Sequence, residues 1–155
     1  NVAKLIGSSV TKPIVVGLSG GHDSQIVCMS FIKAGVPFTP IILRLRGVHG
    51  GYYNTYDTDG AFEFCEKFNL TPIVEELNLD QYYYTELIPL VDEYGFTSAE
   101  ITVQLHLAKK YGEKYVIDVS SDSSVGYDTH IINDNNEIII KNNIFFTNFI
   151  NIREN

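Results

Sequence analysis

Apolar and polar positions fall in alternating blocks along this chain. Ile14–Leu18 is a short apolar run bounded by Pro13 and by Ser19-Gly20-Gly21, and it predicts a buried strand. From Ser24 to Ala34 the apolar residues sit at Ile26, Val27, Phe31 and Ile32, a helical period closed by Gly35 as C-cap and Pro37 as stop. Phe38–Leu45, rich in Ile and Leu, predicts a second strand. A glycine-rich, aromatic loop over residues 46–56 follows it. Asp57 or Thr58 then caps a helix to Phe68, with Ala61, Phe62, Phe64, Cys65 and Phe68 on one face. Pro72–Glu76 predicts a third strand, Asp80 the cap of a helix to Tyr94, Ser98 the start of a helix to Tyr111, and Tyr115–Val119 a fourth strand. Residues 2–9 read as a weak helix or an arm.

Strands that alternate with helices predict an α/β fold, a doubly wound parallel sheet of Rossmann-like form. In such sheets ligands bind beyond the carboxyl ends of the strands, where the strand order reverses. The glycine turn after the first strand, the loop after Arg44 and the polar loop Ser120–Ser124 all leave carboxyl ends, so the topology brings them to one crevice. From Thr129 the texture changes. His130-Ile131-Ile132 and Glu137–Ile140, joined by Asn133-Asp134-Asn135-Asn136, predict a C-terminal β-hairpin. Residues 1–128 are thus expected to form the core, with 129–155 as an extension of the same domain.

Composition narrows the function classes. The 155 residues suit one domain, and no apolar run reaches the ~18 residues of a membrane helix. No secretory pattern opens the sequence. A net charge of −8 argues against a nucleic-acid partner, which needs a basic face. An anionic small molecule would then need a local set of donors and a divalent cation. The two cysteines, Cys28 and Cys65, lie among apolar neighbours and are expected to be buried thiols in a reducing compartment, which points to the cytoplasm.

The chemistry concentrates in Gly17-Leu18-Ser19-Gly20-Gly21-His22-Asp23-Ser24. A strand–glycine turn–helix of this kind offers a nest of backbone N–H donors and the positive end of a helix to an anion. Gly20 and Gly21 permit close backbone approach, and Ser19 and Ser24 add hydroxyls. Asp23 suits a Mg²⁺ that bridges phosphates, or a helix cap. The turn has neither the Gly-Lys-Ser/Thr of a Walker loop nor the Gly-X-Gly-X-X-Gly of a dinucleotide fold.

Ser-Gly-Gly-His-Asp-Ser after an apolar strand resembles the PP-loop of the N-type ATP pyrophosphatases. That superfamily includes asparagine, NAD and GMP synthetases and phosphoadenylylsulfate reductase. The resemblance covers about residues 12–122 and implies an adenine nucleotide alpha hydrolase-like fold. It further implies that ATP is cleaved between its α and β phosphates to adenylylate a small-molecule oxygen, with Mg²⁺ as cofactor. On that resemblance Ser19, Gly20, Gly21, Asp23 and Ser24 match the pyrophosphate-binding loop, and Leu18 lies where backbone groups contact the nucleotide; His22, at the variable position of the loop, can donate to a phosphate or face solvent. Leu43, Arg44 and Leu45 end the second strand, where relatives hold adenine through backbone atoms. Asp23 and Arg44 are the catalytic candidates, and Asp118 or Asp122, with Asp122 preferred, falls after the fourth strand where relatives place an acidic Mg²⁺ ligand beside Asp23.

The departures limit the acceptor. The chain shows no glutaminase domain, no cysteine cluster, no cysteine after Cys65 and no basic module, which leaves a minimal domain similar to small stand-alone, phage-type members. The alternative class is a nucleotide-binding module without turnover, whose missing wall a homo-oligomer would supply. Arg44 and Arg46 can fork to a phosphate or carboxylate, or stand as solvated surface arginines. His49 lies in a plausible lid, His106 is expected to be structural, Lys109 and Lys110 suit a helix C-terminus, and Tyr82-Tyr83-Tyr84 suits packing.

Overall fold

The structure is a computed structural model. It describes residues 2–89, 92, 106–118, 131–132, 138–139 and 144–145. Strands β1 (Ile14–Gly17), β2 (Thr39–Arg46), β3 (Ile73–Asn78) and β4 (Val116–Asp118) fall where the apolar runs predict them. Helices α1 (Val2–Ser9), α2 (His22–Ala34) and α3 (Thr55–Lys67) precede β1, β2 and β3. The short α4 (Leu79–Tyr82) follows β3 and passes into a π-helical turn, Tyr83–Leu87. Residues 106–111 are helical and lead into β4.

The strands form one parallel sheet in the order β3-β2-β1-β4-β7, where β7 is Ile144–Phe145. From β1 the chain moves outward to β2 and β3, then returns to place β4 on the other flank. The strand order therefore reverses between β1 and β4. Right-handed crossovers made in opposite directions put their helices on opposite faces of the sheet. Two apolar clusters record this. Ile14, Val16, Leu18 and Ile42 pack with Cys28 and Phe31 of α2 and Ala61, Phe64 and Cys65 of α3, with α1 added through Ala3 and Ile6. Val15 and Ile41 face the other way, against Leu107, with Leu43, Ile73, Tyr111 and Tyr115 around them. Because both faces of β1 are covered, Ile14, Val15 and Val16 are all buried, which is why the strand reads as a continuous apolar run. Edge strand β3 instead alternates, with Glu75 and Leu77 buried and Val74, Glu76 and Asn78 exposed.

The doubly wound α/β fold is the one the sequence predicts. Gly35 caps α2 in the left-handed region at φ 67°, where a residue without Cβ carries no steric penalty. Both cysteines are buried. Two local expectations are corrected. α3 starts at Thr55 with Asn54 as its N-cap residue, not at Asp57 or Thr58. α4 is capped by Asn78, whose Oδ1 accepts from the Gln81 N–H at 3.0 Å, and not by Asp80. The Asp80 carboxylate is drawn away to the Val48 N–H (2.9 Å) and the Tyr53 hydroxyl (3.0 Å). The N-terminal part of the predicted Ser98–Tyr111 helix lies outside the described residues. Ile131–Ile132 (β5) pairs antiparallel with Ile138–Ile139 (β6), and the residues that join them lie outside the described set. Strand β7, beside β4, has no counterpart in the sequence reading.

Candidate functional site

The glycine turn leaves the carboxyl end of β1 beside the reversal point and enters α2 directly. Gly21 is the N-cap residue, extended at φ −70°, ψ 161°, and no side chain caps the helix. Asp23 therefore does not serve as the cap. The first i→i−4 bond of α2 runs from the Gln25 N–H to the Gly21 C=O at 3.2 Å. The N–H groups of His22, Asp23 and Ser24 precede it and have no helical acceptor. They lie at the positive end of a 13-residue helix, where an anion is favoured. His22 and Asp23 are exposed, and among the described residues neither side chain has a partner.

Ser24 works differently from the expectation that it offers a free hydroxyl. Its side chain is buried, at 5% exposure. Its Oγ donates to the Gly21 C=O (3.0 Å), accepts from the Ser19 N–H (3.3 Å) and meets the Ser19 Oγ at 3.1 Å. Ser24 thus ties the two ends of the turn together and fixes its curvature. Ser19, exposed, keeps a hydroxyl at the surface of the turn. From behind, Gln25 Nε2 donates to the Gly20 C=O at 2.8 Å.

Gly20 is where two elements meet. Its φ is +93°, and a Cβ placed on it would lie 1.8 Å from the Asp57 carbonyl oxygen and 2.9 Å from the Ala61 nitrogen. The turn is therefore seated directly on the first turns of α3. Gly60 completes the close approach: its Cβ position lies 3.4 Å from the Gly20 carbonyl oxygen. Gly21 differs, because a Cβ there would meet only the Ser19 Oγ, at 3.6 Å. A cavity of about 420 Å³ opens behind the turn between α2 and α3, bordered by Gln25, Met29, Gly60 and Phe64.

The end of β2 is already engaged by its own chain. The loop after Arg46 turns back through Gly47–Gly51 and returns along β2, with Tyr52 bridging Arg46. The Leu45 C=O accepts from the Tyr53 N–H at 2.8 Å. The Leu43 C=O and Leu45 N–H are held by the Asn54 side chain at 2.7 and 2.9 Å. The Leu18 N–H donates to the Ile41 C=O (2.8 Å), so it closes the β1–β2 ladder.

Arg44 projects from β2 into an ion pair with Glu76 (3.3 Å), its guanidinium 3.7 Å from the centroid of the Tyr52 ring. Tyr52 also donates to Glu76, and this bond raises the Tyr52 pKa above its ordinary value. Arg44 Nε is buried without a partner among the described residues. The partners the structure gives Arg44 thus belong to β3 and the returning loop, not to the glycine turn. The loop that carries His49 is fastened through Tyr52 to Glu76, and through Tyr53 and Val48 to Asp80. The Asp80 bond raises the Tyr53 pKa.

Glu75 is a buried group the sequence reading did not single out. It is 5% exposed and faces the 106–111 helix. It accepts from Lys110 Nζ (2.7 and 2.8 Å) and Tyr111 Oη (2.7 Å), and His106 Nε2 lies 3.0 Å away. Burial pushes its pKa up, but the bonds from Lys110, His106 and Tyr111 outweigh burial, and the carboxyl is held below its ordinary value. His106 is structural, as expected. Lys110 is an ion-pair partner of Glu75, where a helix-end cation was expected. Asp122 and the Ser120–Ser124 loop lie outside the described residues. Asp118 is placed only through its backbone, in register with Val16. Among the described residues no three His, Cys, Asp or Glu side chains converge as a metal centre.

No protein-family model matches this chain, and no curated protein sequence does. Among solved structures it is similar to the NH3-dependent NAD synthetase from Campylobacter jejuni, solved in complex with the nitrate ion. That alignment has a TM-score of 0.53 and 18% identity, and it covers 81% of this chain and 57% of that one. It is also similar to the NMN synthetase from Francisella tularensis (TM-score 0.49, 20% identity, 74% of this chain and 48% of that one). The glutamine-dependent NAD+ synthetase from Acinetobacter baumannii follows (0.46, 15%, 74% and 22%). The chain thus spans a little over half the length of the Campylobacter jejuni protein. The likeness to the Campylobacter jejuni protein shows a common fold, the Rossmann-like α/β one that the sequence predicts.

Proposed function

We propose that this chain binds ATP with its β and γ phosphates against the Ser19–Ser24 turn and cleaves it to AMP and pyrophosphate, adenylylating a small-molecule oxygen for amidation or a related ligation. The observation that carries this reading is the turn itself. It stands at the carboxyl end of β1, beside the reversal of strand order, and opens α2 on a set of N–H groups with no helical acceptor. The fold shared with an NAD synthetase agrees with it.

Leaving-group charge would develop on the pyrophosphate, and donors fixed before reaction stabilise such charge without reorganising. Ser24 and Gln25 hold the turn in shape, while Ser19, Gly21 and His22 line its outer side. Mg²⁺ typically takes one or two protein carboxylates and fills the rest of its shell with phosphate oxygens and water. The exposed Asp23, in the first turn of α2, fits that single-carboxylate role, and Asp122 is the proposed second ligand. When bound, the metal would neutralise charge on the phosphates. Arg44, held at Glu76, would reach a phosphate or carboxylate only by leaving that pair. A small-molecule acceptor, a homo-oligomer that completes the crevice and a cytoplasmic location belong to the same proposal. Among the described residues no helix is long and apolar enough to cross a membrane.

Phosphorus NMR of ATP and Mg²⁺ incubated with the chain, ammonium and a panel of carboxylates tests the reading. The expected products are AMP and pyrophosphate, dependent on one acceptor and lost in Asp23→Ala. ADP and orthophosphate would overturn it. ATP binding without turnover across the panel would favour a nucleotide-binding module instead.

A further inference from the structure

β2 outruns the strand beside it. β1 ends at Gly17, and the last ladder contact between the two is the Leu18 N–H on the Ile41 C=O. β2 continues to Arg46. Alternate residues of a strand turn their backbone groups to the same side. Leu43 and Leu45 therefore present N–H and C=O on the side Ile41 uses, along an edge that β1 has left. Among the described residues no strand pairs with that edge; the returning loop covers it. Tyr53 takes one carbonyl through its backbone.

Asn54 takes two more of these groups with its side chain. Its Nδ2 donates to the Leu43 C=O at 2.7 Å and its Oδ1 accepts from the Leu45 N–H at 2.9 Å. The residue stands at the N-cap of α3, where an Asn side chain ordinarily accepts from the helix's own first turn, yet it makes no such bond. The carboxamide has been diverted to the strand edge. There it acts as one peptide unit of a missing neighbour strand, a donor and an acceptor side by side in one plane. An adenine edge offers the same pair, an exocyclic N–H beside a ring-nitrogen acceptor, which is why planar amides read adenine with two bonds.

We propose that Asn54 gates the nucleobase position: its carboxamide is a built-in occupant of the Leu43–Leu45 edge, and a base docks on that edge only by displacing it. The inference rests on the nucleotide reading above and adds the residue that sets the affinity for the base. A base that brings both a donor and an acceptor replaces both bonds of Asn54 in kind. One that brings a single bond leaves a peptide group unpaired and competes poorly.

Calorimetry on the full chain separates the gate from the reading it rests on. Mg²⁺–pyrophosphate probes the turn alone, and Mg²⁺–ATP probes the turn and the base together. In Asn54→Ala, ATP is expected to bind about tenfold tighter, as two bonded groups no longer compete, with pyrophosphate affinity within about twofold of wild type. Unchanged or weaker ATP binding alongside unchanged pyrophosphate binding overturns the gate and leaves the turn standing. A wild-type chain that binds neither ligand overturns both. If Asn54→Ala does not fold, the wild type still decides. In ¹⁵N spectra the Asn54 side-chain NH₂ pair is expected to move toward solvent-exposed values with ATP or AMP, and to stay in place with pyrophosphate. A pair unmoved at saturating ATP overturns the proposal.

Discussion

Gly20→Ala is expected to destabilise the chain by about 3 kcal/mol, lowering its melting temperature by roughly 10 °C, and to remove pyrophosphate binding. Two separate effects act at this position. The backbone sits at φ +93°, a region a side chain rarely adopts, and the new methyl would lie 1.8 Å from the Asp57 carbonyl oxygen. That oxygen belongs to the backbone of α3, so neither side can yield without moving the helix or unwinding the turn. Gly21→Ala is the control. Its φ is ordinary for an alanine and its methyl would meet only the Ser19 Oγ at 3.6 Å, so stability should fall by less than about 1 kcal/mol. Any loss of ligand affinity in that variant reports close approach by the ligand. Melting curves and pyrophosphate titrations of the two variants distinguish these roles. Equal and small stability losses would show that Gly20 is not seated on α3 as described.

The second large effect is expected at Glu75. Removing one member of a buried, bonded ion pair strands its partners, a loss that runs to several kcal/mol when both are deeply buried. Here the Lys110 side chain is 52% exposed and can rehydrate, which moves the expectation for Glu75→Ala down to about 2 kcal/mol. The lost bonds are those that fasten the 106–111 helix to β3. The pH dependence has a definite sign. The folded carboxyl has a lowered pKa, so its contribution is complete above the unfolded value of about 4.3 and is lost as pH falls through the folded value below it. Tyr111 acts at the other end. Burial and its bond to Glu75 push its pKa up to about 12, so the folded state keeps a proton that the unfolded state loses, and stability declines as pH rises from about 10. Urea denaturation across pH should show both limbs in the wild type and a flattened acid limb in Glu75→Gln.

Much of this architecture is legible in the sequence, for physical reasons. A strand covered on both faces must be apolar throughout, so Ile14–Val16 and Ile41-Ile42 stand out. Three glycines within Gly17–Gly21 mark a turn that a backbone must approach closely, and the structure supplies the approaching element, α3. Other features resist a local reading because they depend on distant partners. Glu75 and Glu76 are adjacent and alike in sequence, yet one is buried and the other exposed, since neighbouring strand residues face opposite sides. The partners of Glu75 lie 31 to 36 residues away. The sequence offers Asp57 or Thr58 as the helix cap, whereas Asn54 takes that position in the fold, its side chain placed by contacts from β2. His106 and Lys110 are four residues apart on one helix, a spacing that can converge on a single acceptor. That signal becomes readable only when a buried acid is sought opposite it.

The Ser19–Ser24 turn is proposed to hold the pyrophosphate part of ATP. Titration of ¹⁵N-labelled chain, first with Mg²⁺–pyrophosphate and then with Mg²⁺–ATP, tests it most directly. Both ligands are expected to shift the amides of Gly20, Gly21, His22, Asp23 and Ser24 most, because these N–H groups form the proposed cradle, and Asp23→Ala is expected to weaken both responses. Shifts confined to the α2–α3 cavity around Met29 and Phe64, or no response to either ligand, would contradict it.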